Sequence, residues 1–213
     1  MNWLSRFLPG GGPSLSPVQQ GTLETIAALP APDLNRVHYE TRYVVVNAEV
    51  GPEGGAEGGA RGLLAVGAVA ITQGLLHPDD AFQARLGSAP ADALIGLLRF
   101  IARAPVVVFN AQFNQGSLER AFEQHLGSAP VLEWLDLLVL LPSLYPERID
   151  GQARMDAWLA AFGIQRLERS ALLEAFAVAQ LHQVVLARAG AQGLTTAGDL
   201  VEAQSSRKWL RGA

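Results

Sequence analysis

Two short runs constrain what this chain can fold into. Tyr43-Val44-Val45-Val46 and Pro105-Val106-Val107-Val108-Phe109 are apolar and rich in β-branched residues without a polar break, the pattern of strands covered on both faces. Such strands belong to an α/β sheet with helices on each side. A helix between them is written just as clearly, because after Pro90 the residues Leu94, Leu97, Leu98 and Ile101 fall on one helical face. A helix crossing between two strands predicts that they are parallel. Each run ends in polar residues: Asn47-Ala48-Glu49 after the first and Asn110 to Asn114 after the second. Residues two apart in a strand share a face, so Asn47 and Glu49 project from one side of the sheet near its carboxyl end, where open α/β sheets place their ligands.

The remaining elements follow in order. Ser16-Pro17 reads as an N-cap with proline at the first helical position, opening a helix to about Ala28 that Leu29-Pro30-Ala31-Pro32 stops. A polar linker, Asp33 to Thr41, leads into the first strand. Gly51 to Gly62 is dense in glycine but carries neither GxGxxG nor GxxxxGK[ST], and strand-like residues, Leu63 to Ile71, follow it instead of a helix. It therefore reads as a hairpin connection. Gln73-Gly74 turns the chain toward a short strand around Phe82 to Leu86, completing an antiparallel meander. Downstream lie a helix through Leu118, Phe122 and Leu126, an apolar segment from Trp134 that stops at Pro142, and a short helix from Met155 to Phe162 closed by Gly163. A long helix, Arg169 to Ala189, and an amphipathic one, Thr195 to Leu210, end the chain. The expected organisation is an amino-terminal tab, helix and linker over 1–41, a central domain over 42–190 and a carboxy-terminal helix over 191–213.

Charge and composition narrow the function. With Lys+Arg 16 against Asp+Glu 20 the formal charge is -4, so no global basic field draws the chain to phosphate backbones, and any nucleic-acid contact must be local and weak. The absence of cysteine removes disulfides and thiolate metal sites and suits a reducing, cytoplasmic setting. No apolar run reaches bilayer length, and the first residues do not read as a signal peptide. Trp3, Leu4, Phe7 and Leu8 around a lone Arg6 form a hydrophobic tab that could dock on its own domain, on a partner or weakly at a membrane surface.

The order of elements and the residues at the strand ends resemble the DnaQ-like exonucleases, the DEDD group of 3′-5′ exonucleases on a ribonuclease-H-like fold, which includes the proofreading epsilon subunit of bacterial DNA polymerase III and ribonuclease T. The likeness runs from about Tyr43 to Arg188. The family's Asp-x-Glu falls on Asn47-Ala48-Glu49, its Asn-Ala-x-Phe-Asp on Asn110-Ala111-Gln112-Phe113-Asn114, and its His-x-Ala-x-x-Asp-Ala on Arg169-Ser170-Ala171-Leu172-Leu173-Glu174-Ala175. Asp136-Leu137-Leu138 and Leu144-Tyr145-Pro146 match the segment between the second and third motifs. The resemblance implies an α/β fold, a ribonuclease-H-like mixed sheet flanked by helices. It also implies catalytic positions at Asn47, Glu49, Asn114, Arg169 and Glu174.

Only Glu49 of those five is unchanged. Members of the family hydrolyse a terminal phosphodiester with two divalent ions about 3.5–4 Å apart, held by four carboxylates, with a histidine as general base. Magnesium demands hard anionic oxygens in near-octahedral array. Asn47 and Asn114 offer neutral amides, and Glu174 keeps a charge on a longer arm. Arg169 stays protonated and cannot accept a proton from water; losing the base alone costs about 100- to 10,000-fold. Glu49 and Glu174 are thus the remaining metal-ligand positions, with weak or no binding expected. The connection that in the family helps hold the terminal nucleotide is reduced to Gly87-Ser88-Ala89.

The expectation is a pseudo-exonuclease without a cofactor. It would act as a binding or interaction module, through a protein partner or self-association, by way of the tab or the last helix bearing Trp209. The alternative is an active or weakly active 3′-5′ exonuclease using Mg or Mn on nucleic acid. A third reading is a structural subunit whose dimer interface lies where the family's substrate would. Arg169 is expected to take the place of a metal and pair with Glu49 or Glu174. Among the other candidates, His182 reads as a satisfied, partly buried histidine, Asp136 as structural, and His38, His77 and His125 show no metal-site spacing.

Overall fold

A computed structural model describes residues 13–52, 61–149, 153–166 and 170–211, without the side chains of 207–211. The tab at Met1 to Leu8, most of the glycine-rich connection, Arg169 and the Trp209 side chain lie outside the described residues.

The first helix, α1 (Pro17–Ala27), starts at a capping box in which the Ser16 hydroxyl accepts from the Gln19 amide and the Gln19 side chain returns a bond to the Ser16 amide. Three strands then form the antiparallel meander: β1 (Tyr43–Pro52), β2 (Arg61–Thr72) and β3 (Leu75–Arg85). Helix α2 (Pro90–Ile101) returns the chain to β4 (Val106–Val108), which pairs parallel to β1 with Val44 opposite Val106. After α3 (Ala111–Leu126) comes β5 (Trp134–Asp136), parallel to β4, and then α4 (Leu137–Leu144), α5 (Met155–Ala161), α6 (Ala171–Ala191) and α7 (Ala197–Arg211). The sheet order β3-β2-β1-β4-β5 puts β1 at the centre of a mixed α/β sheet.

Strand alternation sorts the core into two halves. Tyr43 and Val45 face a cluster built with α4, α5, α6 and α7, including Leu140, Trp158, Val178 and Leu200. Val44, Val46 and Ala48 face Leu23 and Ile26 of α1, Leu94 to Ile101 of α2 and Leu118 and Phe122 of α3. Over Tyr43 to Val46 both faces are dry, which is why that part of β1 reads as an unbroken apolar run.

Two expectations are corrected. The third strand is longer than Phe82 to Leu86 because it begins at Leu75 and carries Pro78, Asp79 and Asp80, residues that obscure strand character yet suit an exposed edge. Pro142 does not stop the segment after Trp134: α4 runs through it to Leu144. The helix forfeits one bond there, but Leu137, Val139, Leu140, Leu141 and Leu144 are buried around it, and tertiary packing holds it. At β5, the other edge, the Gln204 side chain stands in for a neighbouring strand. Its Oε1 accepts from the Asp136 amide at 3.0 Å and its Nε2 donates to the Trp134 carbonyl at 2.7 Å.

Gly67 fixes the position of α6. It sits in β2 opposite Asn47, and a Cβ there would lie 2.2 Å from the Leu172 amide nitrogen and 2.3 Å from the Ala171 carbonyl carbon. The start of α6 therefore crosses the sheet in direct backbone contact, which no other residue type would permit. Gly67→Ala is expected to lower stability by about 1–3 kcal/mol, the usual cost of overpacking, and to push Glu174 away from Asn47. Urea denaturation checks the first effect; an unchanged midpoint would mean that α6 does not rest on β2 this closely.

Candidate functional site

The carboxyl ends of β1 and β4, the first turn of α3 and the first turn of α6 meet on one edge of the sheet. Asn47 is buried midway along β1, just past the stretch that pairs with β4, on the side that faces α6. Its Nδ2 donates to Glu174 Oε2 at 3.1 Å. Glu174 is in the first turn of α6, whose N-cap, Ser170, accepts from the Leu173 amide. Asn114 is more deeply buried. Its Oδ1 accepts from the Ala48 amide at 2.9 Å and its Nδ2 donates to the Phe109 carbonyl at 2.7 Å, so a donor and an acceptor on opposite sides fix which way the amide points. Glu49 follows Asn47 by two residues and is exposed, just before a register shift in the β1–β2 pairing.

Asn110 turns the chain from β4 into α3 in a left-handed conformation, φ 68°, which asparagine tolerates better than most residues. Asp136 holds that turn. Its Oδ2 accepts from the Ala111 amide and its Oδ1 from the amides of Asn110 and Leu138, each at 2.9 Å. Both oxygens are committed to backbone, a structural role.

Glu174 is neutralised from within. Its Oε1 accepts from Arg166, which also reaches Asp156 Oδ1 of α5 at 2.6 Å. Hydrogen bonding to Glu174, with a smaller contribution from Asp156, raises the Arg166 pKa above its ordinary value, so the guanidinium is charged at any working pH. The chain Asp156–Arg166–Glu174–Asn47 ties α5, the segment before α6, α6 and β1 together. Arg169, expected to pair with Glu49 or Glu174, lies outside the described residues; among those described, the cation on Glu174 is Arg166. No periodic pattern points to Arg166, since it precedes the helix in an irregular segment, and Gly67 was legible only as a glycine inside a strand.

Asn47 bonds Glu174 directly, Asn114 holds the amide of the next strand residue, Ala48, and Glu49 is one residue further on. Two divalent cations do not fit this donor set. Both Glu174 oxygens are taken, Asn47 turns an amide nitrogen inward, and the only oxygen Asn114 could offer is spent on Ala48. Among the described residues no three acidic or histidine side chains converge as a metal site would require.

His182 lies elsewhere, and the expectation for it is corrected. It is fully buried on α6, neither ring nitrogen has a hydrogen-bond partner among the described residues, and its ring packs edge-on to Tyr43 at 4.7 Å. Burial pushes its pKa down to about 3. His38, by contrast, hydrogen-bonds the Tyr43 hydroxyl at 2.7 Å and the Leu194 carbonyl at 3.1 Å.

No protein-family model and no curated protein matches the chain in sequence. Solved structures do match in shape. The nuclease domain of 3′hExo, a DEDDh family member bound to rAMP, aligns with a TM-score of 0.51 at 13% identity over 71% of this chain and 94% of that one. E. coli exonuclease I in complex with a dT13 oligonucleotide aligns at 0.51 and 12% identity over 71% of this chain, which spans 42% of the exonuclease I chain. No helix of the described residues is long and apolar enough to cross a membrane.

Proposed function

We propose that this chain, whose fold is that of the DnaQ-like exonucleases, is a pseudo-exonuclease that works as an interaction module and not as a nuclease. The observation that carries this reading is the double commitment of Glu174, with one oxygen on Arg166 and the other on Asn47. A carboxylate engaged in that way holds the cleft closed on itself, and freeing it for a cation would strand Arg166 beside a second positive charge. The shortened Gly87 to Ala89 connection removes a further part of a nucleotide's support. What such a module offers is its surface, to a protein partner or to a second copy of itself.

The test is calorimetric titration of the purified protein with Mn²⁺, together with an assay for mononucleotide release from a 3′-labelled single strand. The expected result is no saturable heat and no release above background. Metal-dependent release that disappears in Glu49→Ala would overturn the proposal and establish a weak exonuclease.

A further inference from the structure

A depression lies away from the degenerate cleft, at the opposite pole of the sheet. It encloses about 470 Å³ around the amino-terminal ends of β1 and β4, between Thr41-Arg42 on one side and Ala104-Pro105 on the other. That volume suits a small organic molecule. Its apolar lining comes from Pro30, Pro32, Ile101 and Pro105, and three arginines, Arg36, Arg42 and Arg103, border it.

The three arginines are not equivalent. Arg36 lies near Asp33, and Arg42 donates to the Phe100 carbonyl and to Asp80 while its guanidinium rests on the Phe100 ring. Arg103 is half-buried, yet among the described residues it makes no hydrogen bond, ion pair or ring contact. Its backbone is also unusual. Ala102 and Arg103 are consecutive residues with positive φ, 46° and 70°, a conformation that glycine adopts freely and a side chain adopts at a cost. Non-glycine residues held this way concentrate at ligand clamps. The carboxyl end of α2 would ordinarily repel an anion here, but three of its last four carbonyls are occupied: Leu98 by the Ala102 amide, Phe100 by Arg42 and Ile101 by the Ala104 amide.

We propose that this depression binds a small organic anion, with a phosphate or carboxylate head on Arg103 and an apolar body against the prolines and Ile101. Glu40 and Asp33 at the rim would turn away polyanions and favour a ligand with a single charged head. The site is independent of the pseudo-exonuclease reading, since it shares no residue with the degenerate cleft.

Amide-resolved NMR titration tests it with phenyl phosphate and benzoate as probes and inorganic phosphate as the head alone. Saturable shifts are expected at Ile101 to Ala104 and Thr41-Arg42 with at least one organic probe, unaltered in Glu174→Gln, and weakened about tenfold or more in Arg103→Gln, as loss of a charged hydrogen bond implies. Saturation by phenyl phosphate alone identifies a phosphate head, by benzoate alone a carboxylate, and by both a site that accepts either. Arg103→Gly should bind no better than Arg103→Gln while melting at a higher temperature than the parent, because glycine relieves the backbone. Absence of saturable shifts at these residues, shifts that persist undiminished in Arg103→Gln, or a lower melting temperature for Arg103→Gly would each overturn the proposal.

Discussion

Lowering the pH from 7 to 5 is expected to cost this protein about 2 kcal/mol of folding stability through one side chain, His182. Its imidazole is wholly enclosed, with a pKa pressed down to about 3, chiefly by burial and secondarily by His38. The unfolded chain offers the same imidazole to water at its ordinary value of 6.5. Below that pH the unfolded state binds a proton that the folded state refuses, so stability falls as pH falls. The contribution is fully present above about pH 6.5 and is lost progressively toward pH 3, at about 1.4 kcal/mol per unit. His38 is shifted in the same direction, again mainly by burial, and steepens the slope. Tyr43 acts at the other extreme, because burial raises its pKa and stability declines as the pH climbs past 10. Denaturant midpoints measured between pH 7.5 and 5 on the parent and on His182→Leu check this. The variant should lose most of the slope. It should also be no less stable at neutral pH, since two unpaired ring nitrogens leave the core. An undiminished slope in His182→Leu would show that His182 is not the group responsible.

His182 also shows where sequence reasoning stops. A histidine on an apolar helix looked like a half-buried, hydrogen-bonded residue, because an enclosed and unpaired imidazole is costly and therefore a poor expectation. Only tertiary packing reveals that Tyr43 and the sheet close over it. The strands were legible for the opposite reason: Val44 to Val46 and Val106 to Val108 are buried on both faces, and their sequence says so without help from the fold. Asn47 and Glu174, which a hydrogen bond joins, were legible as the polar close of an apolar run and the opening turn of a helix, and Asn114 as a residue shortly after the second run. The wiring of the site was not legible. Arg166, eight residues before Glu174 and outside any regular element, joins it to Asp156 of α5, a contact that no local pattern announces. Gln204, closing the β5 edge from α7, is another long-range contact of this kind.

Restoring the family's residues with Asn47→Asp, Asn114→Asp, Arg169→His and Glu174→Asp is expected to produce a chain that is unstable without metal and rescued by it. The reason lies in the bonds the two asparagines now make. Asn114 Nδ2 donates to the Phe109 carbonyl at 2.7 Å and Asn47 Nδ2 to Glu174 at 3.1 Å; a carboxylate oxygen in either place faces another oxygen with no proton between them. Two lost partners at about 1–3 kcal/mol each put the metal-free penalty at about 2–6 kcal/mol. Four converging carboxylates would then supply the charge that divalent cations need, and Mn²⁺ at about 100 times its dissociation constant would return about 2.7 kcal/mol. Melting curves with and without Mn²⁺ read this directly: the variant should melt below the parent, rise with Mn²⁺, and rise further when Arg166→Gln removes the competing guanidinium. Little hydrolysis should return, because Leu86 still passes to α2 through Gly87 to Ala89 alone. A variant as stable as the parent and indifferent to Mn²⁺ would mean that the four positions do not converge. Robust exonuclease activity would show instead that the short connection is no obstacle and that only the metal ligands were missing.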